Sequence, residues 1–423
     1  MTDVAGVLAY LLLPLAGIAV WRLESVRALA LDGRLAIAGA AGAVFMTLVM
    51  AVMSSIGLEW SRTRLTIVLL LAIAAGAWKA RLRLAPVSLP RSAAIFAIAV
   101  LLAITAYGLL TARETIGDLL FFWGPKGVHF ARAGAIDVDY LRDPHHFMQH
   151  RDYPPLLPLL YAWSIEIAGG FSWWGAVLSS GLCLAAIVAI VRACARDDLA
   201  ALLTVSVLAW AFASGRVAGG ADPVLLLFAA MAVAALLFLR DRRSQTIIAA
   251  IGVAGAAVVK VEGASFVVAI AVAMLVDRRP LRQIVAVVLP GLALLGSWIA
   301  FLIHAQLLDT YLGPGTFSLR YLREALGSTV RHASYNAFWI PWIAPLIVIA
   351  LGNVRRVRLP LSVAALLFGA MLYVYLKSPT DPSVFWIPSS AQRVLLTPLL
   401  MLLLAAAAAH FSPPERGEGA ESG

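Results

Sequence analysis

Long apolar runs separated by short charged connections dominate this chain. About twenty apolar residues span a hydrocarbon layer of about 30 Å, and several of the runs are shorter, so we expect some to be tilted pieces of broken helices. The pattern predicts an all-helical, polytopic membrane bundle. The thirteen predicted spans lie at about 4–21, 35–57, 65–78, 93–110, 172–191, 199–213, 222–239, 245–259, 263–276, 284–303, 336–352, 359–376 and 391–411.

One apolar stretch, "PPLLPLLYAWSIEIAGG" at 154–170, follows a long polar segment at 111–153. Whether this stretch spans the membrane decides the side of every later loop. Five basic connections fall on one side only if it does not span, and the positive-inside rule makes that side cytoplasmic. They are "KARLRLAPVSLPR" at 79–91, "RACAR" at 192–196, "RDRR" at 240–243, "DRRPLR" at 277–282 and "VRRVR" at 354–358.

The stretch at 154–170 is therefore predicted to be a re-entrant or juxtamembrane helix on the periplasmic face. Its prolines then lie in or before the first helical turn, where a missing N–H does no harm. Against this assignment, Arg62, Arg64 and the amino terminus would also lie outside.

Composition supports a membrane protein organised as a single domain. Of the 423 residues 62% are hydrophobic and 13% are charged, whereas soluble domains average about 25% charged residues. The net charge of +10 sits in the connections, which indicates topology signals and lipid headgroup contacts and no nucleic-acid partner.

We predict one transmembrane domain at 1–411, with extra amino-terminal spans at 1–92, a periplasmic loop with the juxtamembrane helix at 111–171, and a disordered cytoplasmic tail at 412–423.

This sidedness gathers most of the unusual ionisable residues on the outer face. Ionisable groups at helix ends around a cavity are costly to place and so indicate function. These residues are Asp118, Lys126, Asp152, Asp222, Lys260, Glu262, Lys377, Asp381 and Arg393.

Three of the acids are candidates for chemistry. Asp118 in "GDLLFFWGPKG" lies beside aromatic residues and is suited to act as a general base; a helix N-cap or a solvated loop acid is the alternative. Asp152 in "HRDYPPLLPLL" and Asp222 in "GGADPVLLL" stand just before prolines, an arrangement that also fits N-capping. Because all three acids are predicted to lie on the same face of the membrane, a functional role is favoured over capping.

Two cations are candidates for binding a phosphate. Lys260 and Glu262 in "KVEG" are two positions apart, and such positions do not face each other on a helix, so we expect an unwound turn there. Lys260 either forms a local ion pair or binds an anionic group such as a lipid phosphate. Arg393 in "SSAQRVLLTPLL" opens the last predicted span, where it either snorkels to the interface or grips a phosphate with two parallel hydrogen bonds.

Two other classes of site find little support in the sequence. "HHFMQH", which contains His145, His146 and His150, has no diagnostic metal-ligand spacing, so no metal site is predicted. The chain has no G-x-x-x-x-G-K-[ST] motif, and ATP-driven transport by this chain alone is not expected.

Five segments in order resemble the GT-C superfamily of membrane glycosyltransferases, specifically the bacterial relatives of protein O-mannosyltransferases and aminoarabinose transferases. They are "GDLLFFWGPKG", "HRDYPPLLPLL", "GGADPVLLL", "KVEG" and "SSAQRVLLTPLL". The resemblance implies that Asp118 is the catalytic base, that Asp152 is a second acid beside the acceptor, and that Lys260 and Arg393 hold the donor phosphate. It also implies a set of site-lining residues, namely Trp123, Lys126, Tyr153, Asp222 and Glu262.

The implied activity is transfer of one sugar from a polyprenyl-phosphate carrier to an envelope glycan, lipid or protein at the periplasmic face of a bacterial inner membrane. No cofactor is required for this chemistry, although some members of the superfamily use a divalent metal. The chain departs from the family at Val261, where Asn is commoner, and in lacking a large soluble carboxy-terminal domain, which weakens the case for a polypeptide acceptor. A secondary transporter, a flippase or a glycan polymerase is the alternative. Transporters usually have two halves of similar hydropathy, whereas the loop at 111–153 has no counterpart in a second half of this chain.

Overall fold

The computed structural model describes residues 2–78, 91–111, 117–145, 150–215, 217–308, 317–334, 339–378 and 380–410. The tail predicted at 412–423, His146 and most of the basic connection at 79–91 lie outside these residues.

Helices and connecting turns make up the described residues, with no β-strand among them. In lipid every backbone N–H and C=O must be satisfied within the chain, which a helix achieves by itself. The helices are α1 (Thr2–Leu11), α2 (Leu13–Ala16), α3 (Glu24–Arg27), α4 (Leu31–Ser55), α5 (Arg62–Ala77), α6 (Arg91–Thr111), α7 (Gly124–Ala133), α8 (Val138–Arg142), α9 (Leu156–Ala168), α10 (Trp173–Ala195), α11 (Asp198–Gly215), α12 (Asp222–Phe238), α13 (Arg242–Ala257), α14 (Val261–Val276), α15 (Leu281–His304), α16 (Leu322–Ala333), α17 (Ile340–Ala350), α18 (Arg358–Leu376), α19 (Trp386–Val394) and α20 (Leu396–His410).

Each of the thirteen predicted apolar runs coincides with at least one of these helices, so the all-helical polytopic fold is confirmed. The count of thirteen spans is not confirmed. Within the described residues, seven helical segments are long and apolar enough to cross a membrane: Thr2–Arg22, Leu31–Ser55, Ala94–Thr111, Trp173–Ala195, Leu281–His304, Arg358–Leu376 and Trp386–His410. Five further apolar helices are shorter, at Leu156–Ala168, Asp198–Ala213, Asp222–Phe238, Val261–Val276 and Ile340–Ala350.

The proline-rich stretch forms helix α9, which has 13 residues and is therefore about 20 Å long, too short to cross a hydrocarbon layer of about 30 Å. Every residue from Leu156 to Ser164 is buried, because α9 packs against α1, α4 and α7. Pro154 and Pro155 precede the helix and Pro158 lies in its first turn, as predicted. Its position relative to the membrane stays a prediction.

Four of the five basic connections, at 192–196, 240–243, 277–282 and 354–358, meet at one end of the bundle, which we call the basic end. Arg192 at the end of α10 bonds Asp32 on α4 at 2.9 Å and Asp198 on α11 at 2.8 Å. Its guanidinium carbon lies 5.5 Å from the ring centroid of Phe96, near the start of α6. The ends of four helices are thereby joined around one arginine.

The other three of these described connections lie at the same end. Arg279 donates a hydrogen bond of 3.1 Å to the carbonyl of Leu236 near the end of α12. The amide of Asn353 donates to the carbonyl of Ala409, at the end of α20, at 2.9 Å. A cavity of about 300 Å³ is lined by residues from the ends of α10, α12 and α20, which shows that these ends converge.

The amino terminus and Arg62 lie at the opposite end, as the predicted topology requires. The Ser172 hydroxyl, just before α10, donates to the Asp3 carboxylate at 2.8 Å. Arg62 donates to the carbonyl of Glu166, near the end of α9, at 2.9 Å. Because α12 begins at Asp222 and reaches the basic end at Phe238, Asp222 also lies at this opposite end, which we call the site end.

Candidate functional site

The most buried ion pair of the site end joins Asp222 and Lys260. Asp222, the first residue of α12, is 5% exposed, and Lys260 is 6% exposed. Lys260 Nζ donates to Asp222 Oδ1 at 3.0 Å and lies 3.0 Å from Glu262 Oε1. Buried charges are tolerated only when they are paired, and here two carboxylates surround one ammonium.

The backbone around Lys260 is unwound, as predicted from "KVEG". Helix α13 ends at Ala257, and Lys260 adopts φ −158° and ψ 162° before α14 begins at Val261. The turn is tight because α13 and α14 approach closely there. A Cβ atom on Gly263 would overlap the carbonyl oxygen of Ala256. The local ion pair between Lys260 and Glu262 is therefore present, together with the longer-range pair to Asp222.

The loop before Asp222 is held by contacts that sequence analysis does not identify. Gly219 has φ +68°, a backbone conformation that favours glycine. Its carbonyl accepts a hydrogen bond from Tyr161 Oη at 2.6 Å, and its amide donates to Ser180 Oγ at 2.9 Å. A Cβ atom at this position would lie 2.6 Å from Leu119, so the loop packs directly against the residue that follows Asp118.

Arg393 connects Asp118 to Asp222. Its Nη1 atom pairs with Asp118 Oδ2 and lies 3.9 Å from Asp222 Oδ2. The side chains of Arg393 and Asp118 are 22% and 23% exposed, so neither is fully solvated. Asp118 makes no side-chain capping bond to the helical turn that follows it. The alternative of N-capping is therefore wrong for Asp118. Snorkelling of Arg393 depends on where the membrane surface lies and stays a hypothesis.

Arg393 also lies deeper in its helical segment than predicted. The last span was expected to begin at 391, but α19 begins at Trp386 and continues, with one break, into α20. An arginine inside such a segment is expensive unless it is paired, and Asp118 and Asp222 supply the pairing.

We call Asp118, Asp222, Lys260, Glu262 and Arg393 the ion-pair cluster. It gathers three carboxylates and two cations from four separate parts of the chain. Two of its carboxylate oxygens, Asp222 Oδ2 and Glu262 Oε2, are buried and accept no hydrogen bond from the described part of the chain. Cations and a partly exposed carboxylate in one cluster can bind an anion and accept a proton from a neighbouring hydroxyl.

A second group of site-end residues surrounds Lys126, which is 2% exposed. Its Nζ atom donates to the carbonyl of His150 at 2.6 Å and lies 5.6 Å from the ring centroid of Trp123. Burial lowers the pKa of the Lys126 ammonium to about 7, while the negative charge of Asp152 acts in the opposite direction. Burial therefore favours the neutral amine of Lys126 over the ammonium.

The turn at 150–153 carries the other predicted residues of this group. The Tyr153 amide donates to the carbonyl of His150 at 2.9 Å, and His150 has φ +45°. Trp298 Nε1 donates to the carbonyl of Asp152 at 3.0 Å. The Tyr153 ring centroid lies 5.6 Å from that of Trp123. Asp152 is not the N-cap of α9, because that position is occupied by Pro155.

The two groups are linked through the backbone. A single π-helical turn, Leu119–Trp123, separates Asp118 from Gly124 at the start of α7. The amide of Leu156 donates to the carbonyl of Val258 at 3.0 Å, which ties the turn at 150–153 to the segment that carries Lys260. All nine predicted site residues therefore lie in two connected groups at one end of the bundle.

Sequence analysis missed Tyr161, Ser180 and Trp298, which hold the loops that carry the candidate residues. Tyr161 and Ser180 lie inside apolar helices, 58 and 39 positions from the glycine that they hold. No local motif indicates such partners.

Comparison with known proteins supports one family. Residues 152–304 match the family described as "Dolichyl-phosphate-mannose-protein mannosyltransferase". The matched range contains Asp152, Tyr153, Asp222, Lys260 and Glu262, whereas Asp118 and Arg393 lie outside it. No curated protein and no solved structure matches the chain.

Proposed function

Because this match supports a GT-C membrane glycosyltransferase with a lipid-linked sugar donor, we propose that the protein transfers a single sugar from a polyprenyl-phosphate carrier. The acceptor is a hydroxyl of an envelope glycan, a lipid or a protein, at the periplasmic face of a bacterial inner membrane. The observation that carries the proposal is the ion-pair cluster. It links a partly exposed carboxylate, Asp118, to two cations, Lys260 and Arg393, through ion pairs.

The proposed step forms one bond and breaks one. The acceptor oxygen bonds to the anomeric carbon of the sugar, and the bond between that carbon and the phosphate oxygen breaks. Its electron pair leaves with the polyprenyl phosphate, and the hydroxyl proton passes to the Asp118 carboxylate. Lys260 and Arg393 stabilise the charge that grows on the phosphate, as preorganised cations do in other group transfers.

Each cation of the cluster suits a different part of this task. Arg393 presents a planar fork that can hold two phosphate oxygens at once, whereas Lys260 acts as a compact point charge. Asp222 contacts both Lys260 and Arg393 and is suited to hold these two cations at a constant separation. The lipid phosphate is already a good leaving group, so the proposed step does not depend on a metal.

The group around Lys126 is proposed to form the acceptor side. Asp152 would lie beside the acceptor, and Trp123 and Tyr153 offer two neighbouring aromatic faces with centroids 5.6 Å apart. Such rings combine a large apolar surface with a polar edge. Lys126 holds the turn that carries Asp152 and Tyr153 through the His150 carbonyl.

A transfer assay tests the proposal. Purified protein receives polyprenyl phosphate that carries a radiolabelled sugar, together with envelope vesicles from a strain that lacks the protein. Sugar incorporated into the vesicles and released polyprenyl phosphate are measured together, and equal amounts of both are expected. A flippase would instead move the intact donor across a liposome membrane without releasing polyprenyl phosphate, and that result would contradict the proposed transfer.

A further inference from the structure

The ion pair between Asp118 and Arg393 raises a question about the proposed function, on which this inference rests. The carboxylate proposed as the base is bonded to one of the two cations proposed to hold the donor phosphate. While that bond exists, Asp118 Oδ2 and Arg393 Nη1 are occupied with each other and not with the acceptor hydroxyl and the donor phosphate. Arg393 must turn to the phosphate, and Asp118 must face the acceptor hydroxyl.

The net charge of the ion-pair cluster also indicates that a carboxylate must leave the cations before the donor binds. Three carboxylates and two cations leave a net charge of −1 when all are ionised. A polyprenyl-phosphate sugar is itself an anion, and like charges repel more strongly at partly buried positions than in water. If one carboxylate leaves the cations, the remaining cluster is neutral and can accept the phosphate.

Asp118 is the carboxylate best suited to leave. The Asp222 side chain is 6% exposed and bonds Lys260 directly, whereas the Asp118 side chain is 23% exposed and pairs with Arg393 alone among the cations of the cluster. Removing a buried partner is far more costly than exchanging a partly exposed one. Glu262, at 33% exposure, contacts Lys260 and does not occupy Arg393.

Arg393 would not be left unpaired by the exchange. Its Nη1 atom is 3.9 Å from Asp222 Oδ2, and that oxygen accepts no hydrogen bond from any residue that the structure describes. A small rotation of the guanidinium would bring these atoms within hydrogen-bonding distance. A guanidinium has five N–H donors, so Arg393 can keep Asp222 while it binds phosphate oxygens.

We propose that the donor phosphate displaces Asp118 from Arg393, so that donor binding itself releases the base and must precede productive acceptor binding. In the empty site the carboxylate neutralises Arg393 and is held away from the acceptor. After transfer the polyprenyl phosphate departs and the ion pair forms again. Asp118 therefore competes with the donor for Arg393 before it serves as the base.

A binding experiment tests this exchange separately from catalysis. A polyprenyl monophosphate and the polyprenyl alcohol of equal length are titrated into detergent-purified protein by microscale thermophoresis. Asp118→Asn removes the competing charge, so it is expected to bind the monophosphate about three- to tenfold more tightly than the wild type. Affinity for the alcohol, which lacks the phosphate, should stay the same.

Two matched variants control for charge and for size. Asp139→Asn removes one acid from an exposed position on α8 in the same loop, and Asp118→Glu keeps the charge at position 118. Both should bind the monophosphate as the wild type does. Equal monophosphate affinity in Asp118→Asn and Asp139→Asn would overturn the exchange while leaving the proposed function intact. If every form bound monophosphate and alcohol equally, the proposed donor would be wrong as well.

A second measurement needs no variant. Carbodiimide modification of Asp118 in the wild-type protein, followed by peptide mass spectrometry, reports how accessible that carboxylate is. The monophosphate is expected to increase labelling at Asp118 at least twofold, and the alcohol should not change it. Unchanged or reduced labelling with bound monophosphate would overturn the exchange.

Discussion

Asp118 and Arg393 form an ion pair across 275 positions of the chain. The contact joins the first long loop at the site end to the last helical segment. It also places the proposed base and a proposed phosphate-binding cation side by side, so the two functions depend on one another.

Asp118→Asn should abolish most sugar transfer. The amide keeps the shape of the side chain but cannot accept the hydroxyl proton, and a general base contributes about 10²- to 10⁴-fold to the rate. The measurement is the initial rate of radiolabelled sugar transfer, with Asp139→Asn as the control of equal charge change. Wild-type turnover in Asp118→Asn would remove Asp118 from the role of base.

Lys260→Met should strongly destabilise the protein. Asp222 would keep a buried charge whose nearest described cation, Arg393, lies at 3.9 Å, and breaking a buried ion pair costs about 3–5 kcal/mol. Thermal unfolding in detergent, followed by size-exclusion chromatography, measures the loss.

The double variant Lys260→Met with Asp222→Leu separates stability from function. An apolar pair of similar volume often replaces a buried ion pair without loss of stability, so the double variant should recover most of the midpoint temperature and bind no polyprenyl monophosphate. If the double variant were less stable than Lys260→Met alone, the pair would not be the source of the destabilisation.

Lys126 should make stability depend on pH between about 7 and 10.5. Burial lowers the pKa of the folded protein's Lys126 to about 7, against a model-compound value of 10.5. In this range the unfolded chain holds a proton that the folded protein does not, so stability rises with pH. The penalty for burying the charge is fully present below pH 7 and is relieved as the pH approaches 10.5.

Lys126→Met isolates this contribution, because methionine has a similar length and no charge. Midpoint temperatures of both proteins are measured from pH 6 to 10.5, and the wild type should gain stability relative to the variant as the pH rises. Lys377→Met serves as the control for the loss of one lysine elsewhere. Parallel curves for the wild type and Lys126→Met would contradict the prediction.

Gly263→Ala should disrupt the turn that presents Lys260. The new methyl group would overlap the carbonyl oxygen of Ala256, which forces α13 and α14 apart. Gly296→Ala is the matched control, because a Cβ atom there meets no atom within 4 Å and alanine favours a helix interior by about 0.5–1 kcal/mol. The midpoint temperature should fall for Gly263→Ala and stay the same or rise for Gly296→Ala. An unchanged midpoint for Gly263→Ala would contradict the close approach of α13 and α14.

Part of this site could be predicted from residue type and position alone. Asp118, Asp222, Lys260 and Arg393 stand out because charged groups are rare beside apolar helices. The unwound turn at Lys260 was also predictable, because residues two positions apart cannot pair on a regular helix. Which acid meets which cation was not predictable, and the hydropathy pattern puts Arg393 near the start of its span, whereas the helical segment begins at Trp386.

The amino-acid sequence by itself determined the helices, because apolar runs and helical hydrogen bonds are local properties of the chain. It also indicated which connections share one end of the bundle, through the distribution of arginines. Only the tertiary structure decided that Asp118 meets Arg393 and that Asp222 meets Lys260. These contacts depend on how the helices pack and on loops anchored by Tyr161 Oη and Ser180 Oγ, and packing between distant segments leaves no signature in the neighbouring residues.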